Sequence, residues 1–178
     1  IGSGAVFFYV KLKLAPKKVI LSDLNEDLVN CYIAVRDNVL ELIESLVDHK
    51  KNHSKEYYYH VRDNSVRKLG RVERASRLIY LNKTCYNGLY RVNSSGRFNV
   101  PFGNYKNPGI FSKETLLHAS KLLQGATLLV MSFERVLDFA SKKDLVYFDP
   151  PYIPLSKTSN FTSYSSKEFS IKEQRKLA

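Results

Sequence analysis

The chain has no tryptophan, one methionine and only two cysteines among 178 residues. Two thiols are too few for a disulfide framework or a zinc site, so Cys31 and Cys85 are expected to be core residues of a protein kept in a reducing cytoplasm. No apolar run approaches the ~20 residues that cross a bilayer, which excludes a membrane-spanning reading and points to a soluble protein. A secretory segment is also missing: Ile1 is not a methionine, and the apolar stretch 5–10 is too short and wrongly flanked. Residues 172–178 read as a helix in progress, so the sequence is expected to be an internal stretch of a longer protein. His49 and His53 have the spacing of a metal pair but no third ligand nearby; a solvated helix face is the expectation, and no metal is expected.

Acidic residues are scarce too, 17 against 28 Lys and Arg, for a formal charge of +11. The imbalance is local. Residues 49–106 hold thirteen Lys and Arg against three Asp and Glu, so this one segment carries +10 of the +11. Such a stretch is what neutralises phosphates and releases counterions. Tyr57, Tyr58, Tyr59, Tyr80, Tyr86, Tyr90 and Tyr105 are interleaved with the cations, which favours nucleic acid over a merely solvated basic face.

Residues 18–22 read as a short buried strand ending in Asp23. Asn25 then caps a helix predicted to run to about Val47, with Leu28, Tyr32, Val35, Val39, Leu42, Ile43 and Leu46 at helical spacing. An acid at a strand tip, followed directly by a helix, is how doubly wound α/β folds hold ribose hydroxyls. Asp23 is read in that role, with simple helix capping as the alternative. Gly2-Ser3-Gly4 precedes it by about 20 residues, the order of a dinucleotide-type fingerprint, although GxG without a third glycine is common in turns. A helix is predicted over 72–82 and another from Ser112 to about Gln124, closed by Gly125. Strands follow at 127–131 and 145–148, and Ser170-Ile171-Lys172-Glu173 resembles a capping box that opens a final helix. The alternation argues a parallel sheet of βα units, 1–48 and 123–178, interrupted by an inserted segment, 49–122. Ligands in such sheets bind beyond the C-terminal strand ends, where Asp23, Ser132, Phe133 and Asp149 fall.

Two stretches carry the chemistry. Tyr147-Phe148-Asp149-Pro150-Pro151-Tyr152 packs an acid, two prolines and a ring into a tight corner; the prolines fix φ and hold the neighbouring carbonyls outward. Asp149 and the Pro150 carbonyl offer acceptors beside the flat face of Tyr152. That set suits a planar amine such as the exocyclic amino group of a nucleobase. Hydrogen bonds from its N–H groups localise the nitrogen lone pair and make it a better nucleophile. The second stretch runs from Tyr86-Asn87-Gly88-Leu89-Tyr90-Arg91-Val92-Asn93 through Ser94-Ser95-Gly96 to Arg97-Phe98-Asn99-Val100-Pro101-Phe102-Gly103. Two β-prone arms around a Ser-Ser-Gly turn predict a hairpin. Asn and Arg can bond base edges bidentately and Leu can wedge between base pairs.

Along essentially its whole length the chain resembles the Dam family of DNA adenine N6-methyltransferases, which methylate adenine in GATC. Gly2-Ser3-Gly4 resembles the tail of the family's Phe-x-Gly-x-Gly cofactor motif, Leu21-Ser22-Asp23-Leu24-Asn25 its ribose-binding strand end, and Asp149-Pro150-Pro151-Tyr152 its catalytic motif. The string from Tyr86 to Lys106 resembles its DNA-reading hairpin. The resemblance implies a Rossmann-like, S-adenosyl-L-methionine-dependent methyltransferase sheet with an inserted, mostly helical target-recognition subdomain. It further implies that Gly2 and Gly4 pass close to the cofactor's methionine end, that Asp23 holds its ribose, and that Leu24 and Phe133 flank its adenine. The target adenine would be flipped out of double-stranded DNA onto Asp149, Pro150 and Tyr152. Asn87, Leu89, Arg91, Asn93, Pro101, Tyr105 and Lys106, with Tyr86 in the same motif, would contact the DNA. No metal and no membrane enter this scheme.

The family's N-terminal Trp and Gly-Gly-Lys segment and its C-terminal portion have no counterpart in these residues, so weak cofactor binding by them alone is expected. Three rivals remain: a cytosine N4-methyltransferase, against which Asp149 counts because Ser is usual there; an RNA or protein-glutamine methyltransferase, which more often carries Asn there and would not need this hairpin; and a non-catalytic DNA-binding fragment, which would leave Asp23 and Asp149 unemployed.

Overall fold

The computed structural model describes residues 1–150 and 175–177. Helix α1 (Ala5–Leu14) leads to strand β1 (Ile20–Asp23), and a run of helices follows: α2 (Glu26–Asp37), α3 (Val39–Lys51), α4 (Lys55–Asp63) and α5 (Arg71–Thr84). After an irregular stretch, α6 (Lys113–Leu123) precedes strand β2 (Thr127–Val130). β1 and β2 pair in parallel, with Ile20 opposite Thr127 and Asp23 opposite Val130. Parallel neighbours need a long crossover, and the helices between them supply it. The result is a mixed fold of helices around a small parallel sheet, in keeping with the α/β expectation.

Side-chain caps set most of the helix starts. The Asn25 side chain accepts from the N–H groups of Asp27 and Leu28, Ser54 from Tyr57, and Ser112 from Thr115, each relieving an orphan donor of the first turn. At α5 the Glu73 carboxylate reaches back to the Gly70 N–H at 2.8 Å. The single helix predicted from Asn25 to Val47 is two. Asn38, at φ −130° and ψ 34°, breaks it into α2 and α3. The break frees the Arg36 carbonyl, which accepts from Ser120 Oγ at 3.2 Å and Gln124 Nε2 at 2.8 Å of the α6 region. Both pieces can thereby lie against α5. Helix α1 escaped the sequence reading because its apolar residues lie on all sides, so it has no one-sided periodicity to detect.

One further expectation fails. Residues 145–148 are not a strand: β1 and β2 pair only with each other among the described residues, so this segment has no ladder partner, and Leu145 is 77% exposed. Most of the interleaved tyrosines are packed into the fold. Tyr58 and Tyr80 are fully buried, and Tyr57, Tyr59 and Tyr90 are half-buried; only Tyr86 and Tyr105 stand exposed. Tyr58 donates to the Val100 carbonyl at 2.9 Å, tying α4 to the second arm of the hairpin. The cations are partly structural too. Arg77 is buried, its Nε and Nη2 donating to the Val61 and Arg62 carbonyls at the end of α4, and Arg74 pairs with Asp27.

His49 and His53 are neither metal ligands nor a solvated face. The last turn of α3 faces α4 and α5, so the His49 ring stacks on Tyr80 at 4.7 Å with its Nδ1 2.9 Å from Tyr57 Oη, and His53 Nδ1 lies 2.9 Å from Tyr80 Oη. Cys31 and Cys85 are buried as expected. Burial, with Asp27 nearby, pushes the Cys31 thiol up to about 12, and burial pushes Cys85 up to about 11. One hydrophobic cluster runs from Phe7 through α2, α3 and α5 to Phe98, Ile110 and Leu123. Among the described residues no helix is long and apolar enough to cross a membrane, and no group of three His, Cys, Asp or Glu could hold a metal ion.

Burial holds both imidazoles below the usual histidine range, against an opposing pull from Asp48 on His49. The unfolded chain therefore binds more protons than the folded one below about pH 6.5, and stability is lost as pH falls through the folded values. The denaturant midpoint of the full-length protein is expected to fall between about pH 7 and about pH 5. It should fall less in a His49→Asn, His53→Asn double variant; identical slopes would place the acid sensitivity elsewhere.

Candidate functional site

Asp23 ends β1, and its carboxylate gathers the chain around it. Oδ1 accepts the Asn25 N–H at 2.9 Å, while Oδ2 lies 3.1 Å from the Ile1 amino nitrogen and 3.5 Å from the Gly2 nitrogen. The alternative reading of Asp23 as a helix cap is not what is seen: Asn25 does the capping and Asp23 orders the loop before it. Gly2 and Gly4 both take left-handed φ, +53° and +75°, closing a tight turn in which the Gly4 N–H meets the Ile1 carbonyl at 3.1 Å. Tyr32, from the middle of α2, donates its hydroxyl to the Gly2 carbonyl at 3.2 Å. Burial, followed by the influence of Cys31 and Asp23, raises the Tyr32 phenol well above the usual tyrosine range, so it stays a donor. The sequence reading counted Tyr32 as one more apolar position of a helix. Its helical spacing gave no sign of the polar tip.

Asp149 comes back to this loop from the far end of the chain. A Cβ built on Gly2 would sit 4.0 Å from Asp149 Oδ2, so the acid of the Asp-Pro-Pro-Tyr string faces the same glycine turn as the acid of β1. Leu24 is 53% exposed beside it. Met131 N–H bonds the Asp23 carbonyl at 3.1 Å, and this brings Ser132 and Phe133 to the same strand ends. Ser132 Oγ accepts from Glu134 N–H at 3.4 Å, starting the turn Phe133–Asp138, and the Phe133 ring meets Phe148 edge-on at 6.5 Å. Gly2, Gly4, Asp23, Leu24, Ser132, Phe133 and Asp149 thus occupy one end of the sheet. Pro150 is half-buried; Pro151, Tyr152 and the capping box at Ser170 lie outside the described residues.

The hairpin is present as paired arms. Val92 bridges Phe98 and Cys85 bridges Phe102, both antiparallel, and the Asn93 N–H meets the Arg97 carbonyl at 2.8 Å. Asn93 serves the turn with its side chain, Oδ1 accepting from Ser95 and Arg97 N–H at 3.0 and 2.9 Å. Arg91 is half-buried, with Nε 2.8 Å from Asn99 Oδ1 and Nη2 3.2 Å from the Asn99 carbonyl. Asn99 was not singled out from the sequence, and only its place across the hairpin from Arg91 would have signalled it. Tyr86, Asn87, Leu89, Pro101, Tyr105 and Lys106 are exposed, Asn87 at φ +52° in a one-turn 3₁₀ helix, Tyr86–Gly88.

A Cβ on Gly4 would lie 2.5 Å from Tyr32 Oη, whereas one on Gly2 meets nothing closer than Asp149. Left-handed backbone costs an L-residue about 1–2 kcal/mol at either position. Gly4→Ala adds a collision, so its thermal midpoint is expected to drop clearly below that of Gly2→Ala; equal midpoints would contradict the packing of Tyr32 on the turn.

The family model for D12 class N6 adenine-specific DNA methyltransferases matches residues 1–178. The Type II methyltransferase M.MjaIII of Methanocaldococcus jannaschii is 48% identical over 190 residues, covering all of this chain and 65% of the relative. M1.LlaDCHI of Lactococcus lactis is 47% identical over 183 residues, covering 99% of this chain and 63% of that protein. The DNA adenine methylase of Escherichia coli K12 is 35% identical over 180 residues, again across the whole chain and 63% of its own length. The chain thus spans a little under two thirds of these relatives. With the acid that ends β1 and Asp149 at one glycine turn and a basic hairpin between them in sequence, it belongs to the D12 class of N6 adenine-specific DNA methyltransferases.

Proposed function

We propose that the full protein transfers a methyl group to the N6 amine of adenine in double-stranded DNA, in the sequence GATC, with the adenine turned out of the duplex. The observation that carries this reading is the approach of Asp149 to the Gly2 turn opposite Asp23. The same sheet end offers a carboxylate for a ribose and a second carboxylate for an amine.

The residues present fit S-adenosylmethionine. At Gly4 any side chain would strike Tyr32, which leaves bare backbone at the turn, and Asp23 supplies the acceptor for two hydroxyls. Gly2, Gly4 and Asp23 would hold the cofactor, with Leu24, Ser132 and Phe133 around its purine. When bound, it supplies an electrophilic methyl group on a sulfonium sulfur. Asp149 and the Pro150 carbonyl accept the N–H bonds of the flipped adenine and Tyr152 stacks on its ring. The amine nitrogen so polarised becomes the nucleophile. Fixed acceptors and orientation, with no covalent enzyme intermediate, account for the acceleration. A Rossmann-like sheet made by 1–48 and 123–178 and a recognition segment at 49–122 complete the proposal. Lys50, Lys51, Lys55, Lys68, Lys83, Arg97 and Lys106 are exposed and available to phosphates. The relatives at 48% and 47% identity are named type II methyltransferases, which supports a restriction–modification role.

Full-length protein, labelled cofactor and duplexes with and without GATC should give N6-methyladenine in the GATC duplex alone. Label in cytosine, or in no DNA, would overturn the reading. Asp149→Ala should slow methyl transfer at least about 100-fold with duplex affinity nearly unchanged. Arg91→Ala should relax sequence choice by about 1–3 kcal/mol, measured as the ratio of rates on GATC and single-mismatch duplexes; an unchanged ratio would remove Arg91 from base reading.

A further inference from the structure

The second arm of the hairpin is anchored in the core. Phe98 and Val100 are buried, and the Tyr58 hydroxyl holds the Val100 carbonyl at 2.9 Å. Side chains alternate along an extended arm, so Asn99, between two core residues, lies on the other face, half-buried. Arg91 stands opposite it on the first arm, next to the bridge between Val92 and Phe98. Three hydrogen bonds join the two residues. The Asn99 N–H donates to the Arg91 carbonyl at 3.0 Å, and the guanidinium donates from Nε to Asn99 Oδ1 at 2.8 Å and from Nη2 to the Asn99 carbonyl at 3.2 Å. The amide oxygen is a neutral acceptor, and among the described residues no carboxylate forms an ion pair with Arg91. The arginine is thus aimed while its charge stays uncompensated.

Resting on the base reading proposed above for Arg91, we propose that Asn99 is a positioning residue for sequence choice: its side-chain oxygen holds the Arg91 guanidinium toward one base edge and away from a phosphate or a wrong base. An arginine without that hold has many rotamers. On a mismatched duplex it would swing to another acceptor and recover part of what the mismatch cost; held at Nε, it cannot. Asn99 acts through Arg91 and needs no DNA contact of its own.

The test measures methylation by the full-length protein on GATC and single-mismatch duplexes, with thermal midpoints alongside. Asn99→Ala should lower the ratio of the two rates at least about threefold. Asn99→Asp keeps an oxygen acceptor and should return the ratio to within about twofold of the wild type. It should also weaken binding of both duplexes alike, because a negative charge now faces the phosphates. In an Arg91→Ala background, Asn99→Ala should change the ratio less than about twofold. A further loss there would give Asn99 a DNA contact of its own and overturn the proposal, as would a ratio unchanged in Asn99→Ala or left low in Asn99→Asp. A lower midpoint in Asn99→Ala does not blur the result, since loss of folded protein slows both duplexes equally and leaves their ratio intact. If Arg91→Ala itself leaves the ratio unchanged, the base reading fails and this role fails with it; if Arg91→Ala lowers the ratio and Asn99→Ala does not, the role of Asn99 fails alone.

Discussion

The carboxylate of Asp23 is the constraint from which the candidate site takes its shape. At the end of a two-stranded parallel pairing, it collects main-chain N–H groups from Gly2 and Asn25, donors from two segments more than twenty residues apart. A half-buried carboxylate with several N–H partners is held in place. The glycine turn can then fold onto the strand tip without side chains intervening, and Tyr32 closes it from α2. Asp149 and Phe133 arrive at a surface already set, because the register that puts Val130 opposite Asp23 fixes where the chain after β2 must emerge.

What the sequence made legible follows from which signals are local. Asn25, Ser54 and Ser112 cap where their side-chain chemistry says they should, and Gly125 ends the α6 region at φ +76°, since a cap depends only on its own turn. The break at Asn38 was not legible, because the α2 and α3 residues keep one helical spacing through it. The carbonyl that the break exposes is satisfied by Ser120 and Gln124, more than eighty residues away. Helix α1 lacked a polar face to betray its period. The 145–148 run shows the opposite error: β-prone composition describes a strand's readiness to pair, and pairing needs an edge beside it.

In the tyrosine-rich basic segment part of the charge and most of the rings serve the core. Interleaved Tyr and Lys or Arg satisfy two different requirements with the same letters. Tyr58 and Tyr80 bury their rings between α4, α5 and the hairpin base and place their hydroxyls on a carbonyl and on His53. An all-aliphatic core would leave those groups unpaired. Arg77 does the same for two carbonyls at the end of α4. Composition cannot separate these from the exposed Lys50, Lys55 or Arg97. Burial separates them at once, and what remains outward is mainly lysine, suited to phosphates as a mobile point charge rather than to base edges.

For the base reading proposed for the hairpin, the structure has a physical answer to how a flexible arginine could discriminate. A guanidinium has five N–H donors; Asn99 takes one from Nε and one from Nη2 of Arg91. Three donors remain, both on Nη1 and one on Nη2, and these form the outer edge of the fork, the edge that matches two adjacent acceptors on a guanine. Asn99 therefore removes side-chain entropy before DNA arrives while leaving the bidentate edge open, which is preorganisation in the sense that raises affinity by lowering the cost of ordering. Asn93 works differently. Both of its turn bonds go to the same side-chain oxygen, so the hairpin tip keeps its shape. In the proposed function, a hairpin braced in this way would present a fixed pattern of donors to the groove, and a wrong base pair would have to meet that pattern rather than reshape it.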